Sequence, residues 1–503
     1  VRVGAHSWDL ANRPTVKRLE RATILYPINS ETTTIASPYG GGIYMEVPIG
    51  SAGGVQNVTI TGAVRSTYFS AKSFHRTTAA EWDTSERHHL APWADFQSDK
   101  FMMQVSRDWV YAMGGDDAVQ LMADWDAAMD AINDLMGFPR DRGKETMYIQ
   151  TDLIFRSAVH APGYPATNVN FDPNGSYDGY QNNYFIRGPQ SGASTEFHEQ
   201  GHAYFFPKFG GETEANVNLH YAVVRNRAFG MDFDRAFRQS VGGSFNNIAG
   251  DTIDNTAVLW MTSFNFAPRE QPMGDWEKSY QPQGHAKWVD YARLFGWHGL
   301  DDYWGSMNVG SPVPGSDDAK IIRLCEESGI DIRPLFHFWG IIPQDAGAVE
   351  AAVEALGLAP SLAIRDQLLF YKTLVPADNT AYQAWCMDWY GKEPSINGYG
   401  VEREKARQWD MTEHWIDQGY EYSGTDPLQA DGEIYTEASA ARVEERVREI
   451  IDIYFDSLSD YDTWAAQYAG PGVDLGDPDA DLTGNGWTNN EARLFGLHPL
   501  SGA

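Results

Sequence analysis

The chain has 503 residues, with 38 basic against 69 acidic side chains, and its net charge of −31 opposes nucleic acid and anionic lipid as partners. Hydrophobic residues at 42%, with 17 Trp, 24 Phe and 25 Tyr, exclude a disordered polymer, and no apolar run reaches the roughly eighteen residues of a membrane-spanning helix. Two cysteines, Cys325 and Cys386, exclude a disulfide-stapled scaffold and leave their own pairing open, while the length suggests about three domains.

The chain starts at Val1 without methionine or an apolar leader, as expected of a processed or truncated mature protein. Residues 1–110 alternate short β-prone runs, Asn57 to Val64 among them, with Gly, Pro and Ser turns, and predict a β-rich N-terminal domain. Residues 115–136 then carry Val119, Leu121, Met122, Trp125, Met129, Ile132 and Leu135 at helical spacing, the signature of a core face. Thr146 to Phe155 and Asn183 to Arg187 both read as strands. An edge strand in front of a catalytic helix can hold an extended peptide by backbone pairing. Arg187 reads first as a surface ion-pair partner.

The segment from Phe197 to His202 carries the chemistry. On a helix, His198 and His202 are four residues apart and share a face, where two ring nitrogens can grip one zinc ion. Glu199 lies beside them, able to take a proton from water at the metal. The rival is a helix whose histidines are buried and hydrogen-bonded for structure. Two histidines also leave a tetrahedral zinc short of a protein ligand. Downstream, Pro207 and the Gly210-Gly211 pair end the first helix, and Thr213 can cap a second, with Glu214 at its start and Asn218 one turn later. A carboxylate from that second helix completes a two-histidine, one-glutamate set. Glu214 is the stronger candidate on helix geometry, and Glu212, expected in the turn, is its competitor. His220 and Tyr221 are the nearest candidates to stabilise an oxyanion, with a core or hydrogen-bonded role the stronger reading for both.

Beyond residue 215 the pattern turns helical, through Thr256 to Phe266, His285 to Leu294 and Asp317 to Glu327. Residues 436–457 read as a charged amphipathic helix with Val443, Val447, Ile450, Ile451 and Ile453 on its apolar side. In the tail, Asp477, Asp479, Asp481, Thr483 and Asn485 place oxygen side chains at alternate positions, the pattern of a calcium-binding loop. An acidic turn holding no ion competes with it. No internal repeat is visible.

His-Glu-Gln-Gly-His at 198–202, followed by Thr-Glu-Ala-Asn-Val-Asn at 213–218, resembles the enhancin-like, mucin-targeting zinc metallopeptidases, the sixtieth metallopeptidase family. Three further segments agree: the glycine-rich Ser37 to Pro48, the Gly-Tyr-Pro segment within His160 to Pro165, and Asp331 to Ile341, which contains Trp-Gly. The resemblance covers roughly residues 35–345. It implies His198, His202 and Glu214 as zinc ligands, Glu199 as general base, export to the cell surface or beyond, and mucin-like O-glycosylated substrates. The tail, continued by Ala492 to Pro499, resembles the short thrombospondin type-three-like calcium repeats of bacterial secreted proteins, with Thr483 and Asn485 where aspartates are usual.

The expected architecture is therefore α+β: a β-rich domain at 1–110, a gluzincin-type catalytic domain at 111–360, a helical region at 361–470 and a calcium-loop-like tail at 471–503. The expected activity is zinc-dependent endopeptidase action on glycoproteins. Two alternatives stand beside it: a non-catalytic adhesin that binds glycans or mucins on the same fold, and a general secreted zinc protease without glycan dependence.

Overall fold

The structure, a computed structural model, describes residues 1–5, 22–38, 40–47, 51–140, 147–151, 160–161, 166–168, 184–190, 197–198, 200–202, 212–240, 252–263, 265–267, 270–280, 282–382, 384–385 and 435–455. Glu199, Pro207, Gly210, Gly211, Cys386 and the calcium candidates Asp477, Asp479, Asp481 and Asn485 lie outside these residues.

Three strands near the start, β1 (Arg2–Ala5), β2 (Ala22–Leu25) and β3 (Gly42–Tyr44), form an antiparallel sheet in the order β2-β1-β3. A second sheet is mixed and seven-stranded. Its members are β4 (Thr67–Lys72), β5 (His75–Arg76), β6 (Trp93–Gln97), β7 (Phe101–Ser106), β8 (Met147–Thr151), β9 (His160–Ala161) and β10 (Ala166–Asn168), in the order β5-β4-β6-β7-β8-β10-β9. β7 pairs in parallel with β8, Phe101 opposite Met147, so the sheet continues across residue 110. Tyr44 and Asp95 join the two sheets, the phenol lying 3.3 Å from the carboxylate.

Two expected strands are absent. Residues 57–64 pair with no neighbour among the described residues, and Val58, Ile60 and Val64 are exposed. β-propensity describes fit to a pleated, half-buried surface, and this run lies on none. Tyr184–Arg187 is a helical turn in place of the expected strand, with Ile186 buried and Arg187 exposed. Four residues are too few for periodicity to separate the two states, and packing of Ile186 decides.

The helix Gly115–Leu135 lies where the sequence pattern puts it, and buries Leu121, Met122, Trp125, Met129, Ile132 and Leu135, while Val119 is 45% exposed. Trp125 is the hinge of the core. Its ring stacks on Phe101 of β7 at 4.2 Å and 3°, and on its other side meets Phe197 at 5.7 Å, which in turn lies 6.1 Å from Tyr221. Sheet, long helix and the segment bearing His198 are thus joined through contiguous aromatic rings, each burying on the order of 150–250 Å².

The remaining described residues are largely helical, including Ile253–Met261, Pro282–Phe295, Asp317–Ser328, Arg333–Phe338 and Leu362–Thr373. Side-chain caps fix several starts: Thr252 accepts from Asn255 N–H, Ser316 from Ala319 N–H and Thr436 from Ser439 N–H. The amphipathic helix Glu437–Tyr454 buries Val443, Val447, Ile450 and Ile451, but Ile453 faces solvent at 57% exposure. Cys325 is a buried free thiol, and burial pushes it up to about 12.

Asp290 gathers these helices. Fully buried, it accepts from Trp339 Nε1 at 2.9 Å, from the Tyr371 hydroxyl at 2.9 Å and from Arg293 at 2.8 Å. Phe338 stacks on Tyr371 at 5.0 Å, so packing is continuous across residue 360. The Trp-Gly pair is therefore architectural. Gly340 follows with φ +72°, and a Cβ there would lie 2.6 Å from the Trp260 ring. Gly340→Ala should cost about 2–5 kcal/mol, combining ~1–2 kcal/mol for left-handed backbone with ~1–3 kcal/mol of overpacking. Thermal unfolding checks this, and an unchanged midpoint would show that Trp260 has room to move.

Candidate active site

Two short segments meet to form the site. Residues 197–198 and 200–202 are helical, and carry His198 and His202 one turn apart. Thr213–Asn216 is a single helical turn that carries Glu214. It starts one residue earlier than expected, because Glu212 and not Thr213 occupies the N-cap, and no side chain caps it.

Gly201 makes the meeting possible. A Cβ at Gly201 would lie 2.6 Å from Val217 Cβ and 2.7 Å from both Val217 Cα and its carbonyl oxygen, so the two backbones touch. Only glycine admits that approach. The glycine before the second histidine is the close-contact point of the two elements, and the sequence motif encodes it.

At that separation, three donor atoms converge. His198 Nε2 and His202 Nε2 are 3.2 Å apart, and Glu214 Oε2 is 3.1 Å from the first and 3.6 Å from the second. Ligands ~2.0–2.1 Å from a tetrahedral ion stand about 3.3 Å from one another, so this triangle fits one face of such a shell. Among the described residues it is the one group of three or more His, Cys, Asp or Glu side chains that could hold a metal ion. His198 is 9% exposed, and Glu214 and His202 are half-buried.

Protonation suits the purpose. Burial, and then the neighbouring His198, hold the His202 imidazole below its usual value, so its lone pair is available. Burial raises the Glu214 carboxyl, but His198 and His202 outweigh it and keep it below the ordinary range. Asn218 ties the two segments together. Its Nδ2 donates to the Glu214 carbonyl at 2.6 Å, which leaves Oδ1, 3.2 Å from His198 Nδ1, as acceptor. His198 must then carry its hydrogen on Nδ1 and present a bare Nε2 to the triangle. The sequence placed Asn218 on the face of Glu214, but its contact with His198 needed the fold.

The competitor Glu212 faces elsewhere. It is buried in ion pairs with Lys287 and Lys320. Burial would raise its carboxyl, yet the two lysines prevail and lower it to about 2. His220 and Tyr221 belong to the core: His220 is fully buried and its imidazole is lowered by that burial to about 3, and the Tyr221 hydroxyl bonds Arg225 and Gln239.

Comparison with known proteins gives a family. The model described as Peptidase M60, enhancin and enhancin-like, matches residues 62–340, and that of the N-terminal domain of M60-like peptidases matches residues 1–61. A TRPM8 channel-associated factor homolog of Danio rerio is 25% identical over 357 residues, covering 68% of this chain and 35% of that protein. TRPM8 channel-associated factor 3 of Mus musculus is 27% identical over 359 residues, with the same two coverages of 68% and 35%. The chain thus spans about a third of the length of the curated relatives it matches. Among solved structures, IMPa from Pseudomonas aeruginosa in complex with an O-glycopeptide aligns with a TM-score of 0.38 and 15% identity, over 59% of this chain and 39% of that one. Among the described residues, no helix is long and apolar enough to cross a membrane.

The contacts at Gly201 and Asn218 can be tested with zinc as probe. Gly201→Ala should separate the two segments and Asn218→Ala should release the His198 ring, each lowering zinc affinity by about 10–100-fold. Competition against a chromogenic chelator measures this. Wild-type affinity in both variants would refute the assembly described.

Proposed function

From the chain's membership of the peptidase M60 family, enhancin and enhancin-like, we propose that it is a secreted or cell-surface zinc endopeptidase that hydrolyses peptide bonds of mucin-like, O-glycosylated proteins. The observation that carries the reading is the triangle of His198, His202 and Glu214, with edges of 3.1–3.6 Å. The donor set of two imidazoles and one carboxylate, three protein ligands where a structural site has four, is that of catalytic zinc.

Zinc bound there supplies Lewis acidity, making water acidic near neutral pH and polarising a carbonyl. Glu199, next in sequence to His198, takes the proton as water adds to the scissile carbonyl carbon. The C–N bond then breaks, and Glu199 passes that proton to the departing amine nitrogen. His198 and His202 stay neutral as ligands, and Asn218 holds the His198 ring in register.

The substrate class rests on the family resemblance. A second reading, a binding protein on the same fold, is favoured by relatives that carry the name TRPM8 channel-associated factor. In the tail, calcium would be held by Asp477, Asp479, Asp481 and Asn485, a reading supported by the alternation of their oxygen side chains.

The decisive experiment incubates the protein with a mucin-type glycoprotein and its deglycosylated form, with and without chelator. Wild type should cleave the glycosylated form, and chelator should abolish cleavage. Glu199→Ala should keep its zinc and lose about 10²–10⁴-fold in rate, the usual cost of a general base. Full-rate, chelator-sensitive hydrolysis by Glu199→Ala would sink the mechanism. Equal cleavage of both forms would leave a zinc protease without glycan dependence, and glycoprotein binding without cleavage would favour the binding protein.

A further inference from the structure

The acidic residue that turns away from the histidines is as constrained as the one that faces them. Glu212 is 2% exposed, and its carbonyl accepts from Asn216 N–H at 2.9 Å, as befits the N-cap of the turn that bears Glu214. Its carboxylate reaches into the helical body. Oε2 lies 2.9 Å from Lys287 Nζ of Pro282–Phe295, and Oε1 lies 2.6 Å from Lys320 Nζ of Asp317–Ser328. Lys287 is 1% exposed, and its ammonium also donates to the Gly284 carbonyl at 2.6 Å. Lys320 is in turn held by Asp317 at 3.2 Å, and Asp317 by Lys278 at 2.5 Å.

A pair this deeply buried adds little net stability over apolar groups of the same volume, because desolvation offsets most of the attraction. Its effect is geometric. Glu212 is the N-cap of the Thr213–Asn216 turn and its carbonyl bonds Asn216 N–H, so anchoring its side chain anchors the start of the turn and, through it, the position of Glu214. At its other end the C-cap of the turn, Val217, lies against Gly201.

Resting on the zinc reading of His198, His202 and Glu214, we propose that Glu212, Lys287 and Lys320 form a clamp that positions Glu214 against the two histidines. The clamp sets how tightly and in what geometry the metal is held. It also withdraws Glu212 from competition for the ion. Glu212, Lys287 and Lys320 are positioning residues that act through the Thr213–Asn216 turn.

The test compares wild type, Glu214→Ala, the charge-neutral double variant Glu212→Gln with Lys287→Met, and the conservative Lys320→Arg. Each is loaded with cobalt(II), whose visible d–d absorption reports ligand geometry, and with zinc, whose transfer to a chelator reports affinity. Metal-free unfolding midpoints serve as the structural control. The double variant should unfold near the wild-type temperature, yet show an altered cobalt spectrum, lose zinc about 10–100 times more readily and fall in kcat with KM held. Lys320→Arg should match wild type in every readout. Wild-type cobalt spectrum and zinc affinity in the double variant would overturn the clamp alone. Wild-type protein that binds no more metal than Glu214→Ala would overturn the zinc reading, and the clamp with it. If the double variant fails to fold, Lys320→Met, on the more exposed arm of the clamp, is judged by the same criteria.

Discussion

Backbone contact between Gly201 and Val217 is the constraint on which the site depends. His198 and His202 lie on one segment and Glu214 on another, and an imidazole and a short carboxylate span little distance. Their three donors nonetheless close to a triangle with edges of 3.1–3.6 Å. Removing one side chain at the crossing lets the two chains touch, and Asn218 then bridges them by bonding the Glu214 carbonyl and the His198 ring together.

Around that contact the molecule is organised by what it buries. Trp125 carries the position of the β7 face to Phe197, immediately before His198, through close aromatic contacts. The C-terminal helices act from the other side. Asp290 gathers Trp339, Tyr371 and Arg293, and the same Pro282–Phe295 helix sends Lys287 to Glu212. The site is therefore held between an aromatic core on the sheet side and buried charges on the helical side. In a chain of net charge −31, basic side chains are scarce, and two of them are spent inside on one glutamate.

Legibility in the sequence followed the length of the pattern. The 21-residue helix Gly115–Leu135 repeats its apolar spacing often enough to be read directly, although Val119 at its edge is exposed. Tyr184–Arg187 offers one short run that fits strand and helix alike, and the burial of Ile186 settles it as a helical turn. Residues 57–64 have the composition of a strand but no pairing neighbour among those described. The N-cap shifted from Thr213 to Glu212 for a similar reason, since contacts on both sides of the turn, and not local capping, decide where it begins.

By itself the sequence determined the α+β class, the helical second half and the shared face of His198 and His202, and it favoured Glu214 over Glu212 as the acid to join them. These follow from spacing along one chain, which local geometry converts into a shared face. Only the tertiary structure decided that Glu212 is locked by Lys287 and Lys320, that Asn218 bonds His198, and that His220 and Tyr221 belong to the core. Lys287 and Lys320 lie 75 and 108 residues from Glu212 in sequence, and no periodicity relates positions so distant. Their pairing is a property of which helices pack together, fixed by the burial of whole faces and not by any residue's neighbours along the chain.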